Sequence, residues 1–336
     1  MSLTRFSNWR SLSILLLALL VSPPIWADKS YSDIFIFGDS LSDTGNYASI
    51  AGDLPDPPYF NNRITNGLTA VDVIAKSLNL NAKASLYLLG LSSGGNYAVN
   101  GARAAGEETN DFSAQIMAFL ANKNGSAPSD ALYVVFIGSN DVFDASIIPD
   151  NTIANLYVDN AVFIEQQQIQ LLINAGVKHL LVINVVDISN TPAITFLAKV
   201  TQKPQLIKHA NYLAKRYNKK LKHVLKEISH NNEIELVRFD LFKAFNHLLD
   251  HAPEAGFTNI TNACFSSATL SYYPGCNYAK FSKYIFFDEI HPTARVHKII
   301  GNLVVDQLNN KKISDLVIDK ENYESNVKTR NFYQNF

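Results

Sequence analysis

Ile34-Phe35-Ile36-Phe37-Gly38-Asp39-Ser40 is the stretch on which the fold turns. A β-branched and aromatic run ending in Gly-Asp-Ser describes a buried strand that hands a hydroxyl to a sharp turn. The turn runs on through Leu41-Ser42-Asp43-Thr44-Gly45-Asn46. Outward from it, apolar runs recur at 131–138, 178–185 and 233–240, with a weaker one near 84–89. Together with 33–38 they make five expected core strands, the clearest of them apolar enough to be covered on both faces. Helical patterns at 69–78, 113–120, 155–175, 204–227, 241–250 and 293–309 alternate with them. That alternation predicts an α/β fold, a three-layer α/β/α sandwich around a parallel five-stranded sheet. Functional groups are then expected at the carboxyl ends of the strands, where Ser40 and Asn140 fall.

The chain has 336 residues, 47% of them hydrophobic and 18% charged, and no linker-like stretch divides it. One large domain over 28–309 and a polar tail over 310–336 fit this better than two small domains. Basic and acidic residues number 29 and 30, for a formal charge of −1, which gives no footprint for nucleic acid. Lysines cluster between Lys215 and Lys226, on a helical pattern that reads as a solvated face.

Residues 1–27 read as a secretory signal peptide. Arg5 and Arg10 supply the positive start, Leu12 to Val21 the apolar stretch, and Pro23-Pro24 a break before Ala27. The apolar stretch falls short of the roughly 20 residues that span a bilayer. The expected product is an exported chain, secreted or periplasmic, with no integral membrane segment. Cys264 and Cys276 then meet an oxidising compartment and are expected to close a surface loop as a disulfide. Two free thiols are the other reading. Two cysteines make no metal site, and no His-Glu-x-x-His motif is present, so no metal or cofactor is expected.

Ser40 needs help to react, because a neutral hydroxyl is a poor nucleophile without a base within hydrogen-bond reach. His291, in Asp288-Glu289-Ile290-His291-Pro292, is the best candidate. Three residues apart on one loop, Asp288 can hold one imidazole nitrogen while the other faces outward to accept a proton. Read alone, the same residues fit a helix cap beside a surface histidine. None of the other seven histidines has an aspartate placed like Asp288.

Attack on an ester also builds negative charge on the carbonyl oxygen, which calls for donors fixed in advance. Three candidates are the Ser40 N–H, the Gly101 N–H and the Asn140 amide. Gly101 as a plain loop glycine and Asn140 as a helix cap are the alternatives. Asp39, Asp43 and Asp141 read as turn and cap residues. Gly90-Leu91-Ser92-Ser93-Gly94 matches a nucleophile-elbow pattern, but no helical pattern follows it, so Ser92 reads as a loop serine.

The blocks Phe37 to Asn46, Asn96 to Gly101, Gly138-Ser139-Asn140-Asp141 and Asp288 to Pro292 resemble those of the GDSL lipases, or SGNH hydrolases. They occur in family order and span most of the chain. One departure is Asn100 before Gly101, where many relatives carry Gly-Gly. The resemblance implies a flavodoxin-like sandwich, Ser40 as nucleophile with Asp288 and His291 completing a triad, and Ser40, Gly101 and Asn140 as oxyanion hole. It also implies a lipid or other acyl-ester substrate, as in phospholipases, lysophospholipases and glycerophospholipid:cholesterol acyltransferase-like members, a subgroup that the paired cysteines resemble. Apolar residues in 142–148 and 192–197 are candidate acyl contacts or, equally, core packing. The rival functions are a carbohydrate or short-chain carboxylesterase and, more remotely, a secreted binding protein that keeps the fold without catalysis.

Overall fold

β1 (Ile34–Gly38), β2 (Leu132–Phe136) and β3 (His179–Ile183) are buried almost throughout, as their apolar sequences require, and β4 (Glu235–Phe239) is partly exposed. The computed structural model describes residues 30–309, so the expected signal peptide and polar tail lie outside the described residues. The four strands form one parallel sheet in chain order, with Phe37, Val135, Val182 and Arg238 in register across it.

Alternate residues of each strand face opposite layers, which is how one sheet serves two cores. Phe35, Phe37, Tyr133, Val135 and Val182 pack in one cluster with α3 (Phe112–Asn122), α5 (Asn151–Asn174) and α7 (Gln205–Asn231). Ile34, Ile36, Val134, Phe136 and Ile183 pack in the other with α2 (Ala70–Ser77), α8 (Leu241–Asp250) and α9 (Ala294–Leu308). The α/β/α sandwich is therefore present.

The fifth expected strand is not. Residues 87–89 form a 3-10 turn after Leu86, whose φ of 59° takes the backbone out of the extended region, and Ala84 makes one isolated bridge to Asn96. The open side of β1 is lined instead by residues 95–99. Ile36 N–H donates to the Gly95 carbonyl (2.9 Å), Tyr97 N–H to Ile36 (2.7 Å) and Val99 N–H to Gly38 (3.1 Å). A side chain at Gly95 would come within 2.2 Å of the Ile34 carbonyl, so only glycine lets the segment approach this closely. Serine and glycine outweigh β-formers at 92–95, which is why the sequence pattern pointed to the wrong stretch.

Three short helices occupy stretches without an expected helix: α1 (Asn46–Ala51), α4 (Ser139–Ser146) and α6 (Pro192–Val200). α6 starts on Thr191, whose hydroxyl accepts the Ile194 N–H (3.4 Å), with Pro192 at the first helical position. α5 starts four residues ahead of its expected boundary because Asp150 caps the N–H groups of Thr152 and Ile153.

Beyond α8, β5 (Asn259–Ala263), β6 (Phe265–Ser266), β7 (Ser271–Tyr272) and β8 (Tyr284–Phe286) build a small outlying region. Its core is Tyr59, Ile64, Phe265, Phe281 and Phe287, beside the Cys264–Cys276 disulfide. No helix among the described residues is long and apolar enough to cross a membrane.

Candidate active site

Ser40 lies one residue beyond the Asp39 that opens the turn after β1. The Asp39 carboxylate accepts the Leu41 N–H (3.0 Å), and the Asp39 carbonyl accepts the N–H groups of Ser42 and Asp43, each at 3.0 Å. Asp43 is fully buried and accepts from the backbones of Gly45, Asn46, Tyr47 and Asn100. Asn46 donates to the carbonyls of Asn96 and Ala98, and Asn96 donates to the Ser42 carbonyl and the Thr44 hydroxyl. Side chains that read singly as turn formers thus lock the serine turn to the segment beside β1. In a buried turn, each carboxylate and amide replaces hydrogen bonds that water would otherwise make.

The histidine arrives from the other end of the chain. Asp288 Oδ1 accepts the N–H groups of Ile290 (2.9 Å) and His291 (2.7 Å), which curls the loop back on itself. Both carboxylate oxygens also face His291 Nδ1, at 2.9 and 2.8 Å. Nε2 of the same ring lies 2.8 Å from Ser40 Oγ. A carboxylate only accepts, so Nδ1 carries the proton and Nε2 is left to accept from the serine hydroxyl. Burial disfavours protonated His291, but the charge and hydrogen bond of Asp288 outweigh it and raise the imidazole above its ordinary 6.5.

Glu289 anchors this loop sideways. Its carboxylate accepts from the Ser267 backbone (3.3 Å) and hydroxyl (3.0 Å) and from the Tyr273 hydroxyl (2.7 Å), and its carbonyl accepts the Ala193 N–H (2.9 Å). Ser267 and Tyr273 lie in the stretch closed by the disulfide. The two cysteines therefore brace the histidine loop as well as closing a surface loop.

At the start of α4, the Asn140 amide donates to the Ala102 carbonyl (2.8 Å) and keeps a second hydrogen free. Asp141 accepts from Ala104 (2.7 Å) and Ala105 (3.1 Å), and Arg103 pairs with Asp144 (2.5 Å). The loop carrying Gly101, whose φ is +79°, is thereby riveted to α4. Ser40, Asn140 and His291 line one cavity of about 90 Å³. Gly101 is tied in through its neighbours Asn100 and Ala102 and is not a wall residue.

Phe136, Phe143, Leu241, Phe245, Ile290 and Ile300 give the cavity its apolar walls. Of the expected acyl-contact stretches, 142–148 contributes Phe143, and 192–197 contributes nothing. α6 turns Ile194 into the core and Phe196 outward, so a helix replaces the wall that a loop was expected to form. Ser92 sits on an exposed loop away from the cavity.

Four polar residues of the site region take parts that were not assigned to them from the sequence. His297, within α9, is buried on the cavity wall. Its Nδ1 accepts the Ala70 N–H (3.2 Å), and burial, aided by the charge of His291, pushes it down to about 3. Asp39 lines the same cavity with Oδ2 unpartnered, and burial pushes it up to about 7. Beneath the α4 turn, the Tyr217 hydroxyl donates to Glu165 Oε2 (2.5 Å), and burial pushes Glu165 up to about 8. Gly138, with φ +106°, leaves room for Tyr217, whose hydroxyl would lie 2.3 Å from any side chain there. Glu165 was findable, since it stands at helical spacing from Ala161, Val162 and Ile169 on the apolar side of α5.

Among the described residues, no group of three or more histidine, cysteine or acidic side chains is placed to hold a metal ion. A serine, a histidine and a buried aspartate, hydrogen-bonded in series at the carboxyl end of a parallel sheet, define the class as α/β ester hydrolases of the serine type. The chain belongs to the GDSL-like lipase/acylhydrolase family, whose model matches residues 34–304. It is similar to the inactive GDSL esterase/lipase-like protein 25 of Arabidopsis thaliana, with 27% identity over 81% of this chain and 70% of that protein. It is also similar to the phosphatidylcholine-sterol acyltransferase of Aeromonas hydrophila, 24% identical over 71% of this chain and 67% of that enzyme. A solved acetyl-xylooligosaccharide esterase variant from Geobacillus stearmophilus superposes with a TM-score of 0.46 at 15% identity, covering 84% of this chain and 96% of that one.

Proposed function

We propose that the protein is an exported lipolytic enzyme that cleaves acyl esters of phospholipids or lysophospholipids through an acyl-enzyme on Ser40. The observation that carries this reading is the unbroken series Ser40 Oγ, His291 Nε2, His291 Nδ1, Asp288. A relative in the same family is named inactive, so the reading rests on these side chains and not on membership.

In the proposed cycle, Ser40 Oγ attacks the ester carbonyl carbon as its proton passes to His291 Nε2. Asp288 keeps the ring in the required tautomer and stabilises the imidazolium. The developing oxyanion is met by the Ser40 N–H, the free hydrogen of the Asn140 amide and the Gly101 N–H, the last carried over from the family pattern. His291 returns the proton to the departing alcohol, leaving the acyl group on Ser40. Water, activated by the same nitrogen, releases the acid and restores Ser40. An alcohol such as a sterol in place of water gives acyl transfer instead.

The lipid part of the reading is supported by the apolar cavity beside Ser40 and by the acyltransferase among the relatives. Export is supported by the pattern of residues 1–27. A short-chain or carbohydrate esterase is the second reading, favoured by the cavity's small size of about 90 Å³. Release of fatty acid from phospholipids differing in head group, compared with short acetyl and sugar esters, separates the two. Preference for phospholipid esters, abolished by Ser40→Ala with folding intact, is the expected result. Preference for acetylated sugars would overturn the lipid assignment, and undiminished turnover by Ser40→Ala would overturn the nucleophile.

A further inference from the structure

Where α7 crosses the β3–β4 edge of the sheet, a groove of about 560 Å³ opens outside the catalytic cavity and shares no wall residue with it. Lys215, Lys219 and Lys222 stand four and three residues apart on α7, hence on one face, and all three line the groove. Arg238 of β4 and Lys243 of α8 join them from the opposite side. Under these cations lie the buried side chains of Leu221, Leu225 and Phe239. The groove therefore has a cationic rim over an apolar floor.

Where α7 meets α5, cations are paired instead: Arg216 and Lys220 both grip Asp159 at 2.7 Å. Lys215 rests over the Phe242 ring (5.8 Å), and among the described residues Lys219 and Lys222 have no carboxylate at ion-pair distance. Asp240 is the one carboxylate among the lining residues, and it is engaged by the Asn184 amide (3.1 Å), the Lys243 N–H (3.2 Å) and Lys243 Nζ (3.5 Å). A chain of formal charge −1 thus gathers five cations around one concavity. Like charges so placed repel one another, and an anion seated among them relieves the repulsion.

We propose that this groove binds the phosphate head groups of anionic phospholipids and seats the enzyme on a lipid surface. α8 connects the two sites: Leu241 and Phe245 line the catalytic cavity, while Phe242 and Lys243 line the groove. Lysine suits this task as a strongly charged donor that follows a mobile phosphate. The apolar floor matches the glycerol and first methylenes behind a phosphate. A nucleic acid has nothing to set against that floor, and the chain as a whole lacks the positive charge such a partner draws on.

Sedimentation of the full chain with vesicles of ether-linked lipids, which offer no ester to cleave, tests this. The protein is expected to sediment with phosphatidylcholine vesicles containing phosphatidylglycerol, to stay in solution with phosphatidylcholine alone, and to be released by salt. The double variant Lys219→Gln, Lys222→Gln is expected to lose about thirtyfold in partitioning. Its turnover of a soluble short-chain ester stays unchanged, so a fault in the triad assignment registers separately. Equal partitioning of native and variant chains, or equal binding to neutral vesicles, would overturn the proposal. So would binding of inorganic phosphate or DNA without vesicle binding.

Discussion

Asp288 meets backbone and side-chain demands at once, its two oxygens facing three donor atoms. Its Oδ1 fixes the loop through Ile290 and His291, and both oxygens fix the ring. Asp288→Asn keeps the shape but offers an N–H to Nδ1 and inverts the tautomer, so kcat is expected to fall about 10⁴-fold. A drop of only a few-fold in steady-state ester hydrolysis would show that His291 does not depend on Asp288. The pH profile follows from the same contact. His291 must be neutral to take the Ser40 proton, and Asp288 raises its affinity for a proton, so the acidic limb of kcat/KM should have its midpoint above 6.5. A midpoint below 6.5 would contradict the dominance of Asp288 over burial at His291.

Glu165 makes an opposite kind of prediction. Its carboxyl ionises near 4.5 in the unfolded chain but is pushed up to about 8 in the fold by burial. Between those values the folded state binds more protons than the unfolded, so stability falls as pH rises from about 4.5 to about 8. Glu165→Gln removes this loss. It is expected to raise the melting temperature at pH 8 more than at pH 5, by about 2–4 °C for each kcal/mol regained. Equal shifts at both pH values, measured by thermal unfolding, would mean that Glu165 does not titrate between them.

At the scale of elements, the histidine loop depends on its neighbours. The outlying region grips Glu289 through Ser267 and Tyr273, inside the stretch closed by Cys264–Cys276, whose sequence separation is 12. Replacing both cysteines with serine is expected to lower stability by about 3 kcal/mol. It should also reduce kcat several-fold without changing the acidic midpoint, because the loop loosens while the ring keeps its aspartate. Unchanged kcat in the double variant would separate the disulfide from the site. The sheet elements were legible because strands covered on both faces write themselves as apolar runs, and 34–38, 132–136 and 179–183 have no other explanation. The edge beside β1 was not legible. It is held by contacts of Gly95, Tyr97 and Val99 with β1 and by the side chains of Asn46 and Asn96, and these leave no periodic signal. α4 and α6 escaped for a similar reason, being eight and nine residues long without a long apolar stripe; α6 starts on the Thr191 cap, and α4 starts after Gly138 with no side-chain cap.

At the scale of the whole molecule, Ser40 and His291 are 251 residues apart in sequence and 2.8 Å apart in space. The parallel sheet and its crossovers bring them together: β1 delivers the serine, and the loop after β8 delivers the histidine. Residue types carried that pairing in advance, because the chemistry of acyl transfer restricts which side chains serve. His297 and Tyr217 carried nothing of the kind, since their roles exist only once α2 and α5 lie against them. The same sheet separates two features by α8, the apolar cavity at Ser40 and the cationic groove at Lys219.

The most direct measurement is covalent labelling with an organophosphonate, followed by mass mapping of the modified peptide. One adduct per chain on Ser40, lost in His291→Ala, is the result expected of a serine activated by that imidazole. No adduct, or one carried by Ser92 while Ser40 stays free, would contradict it.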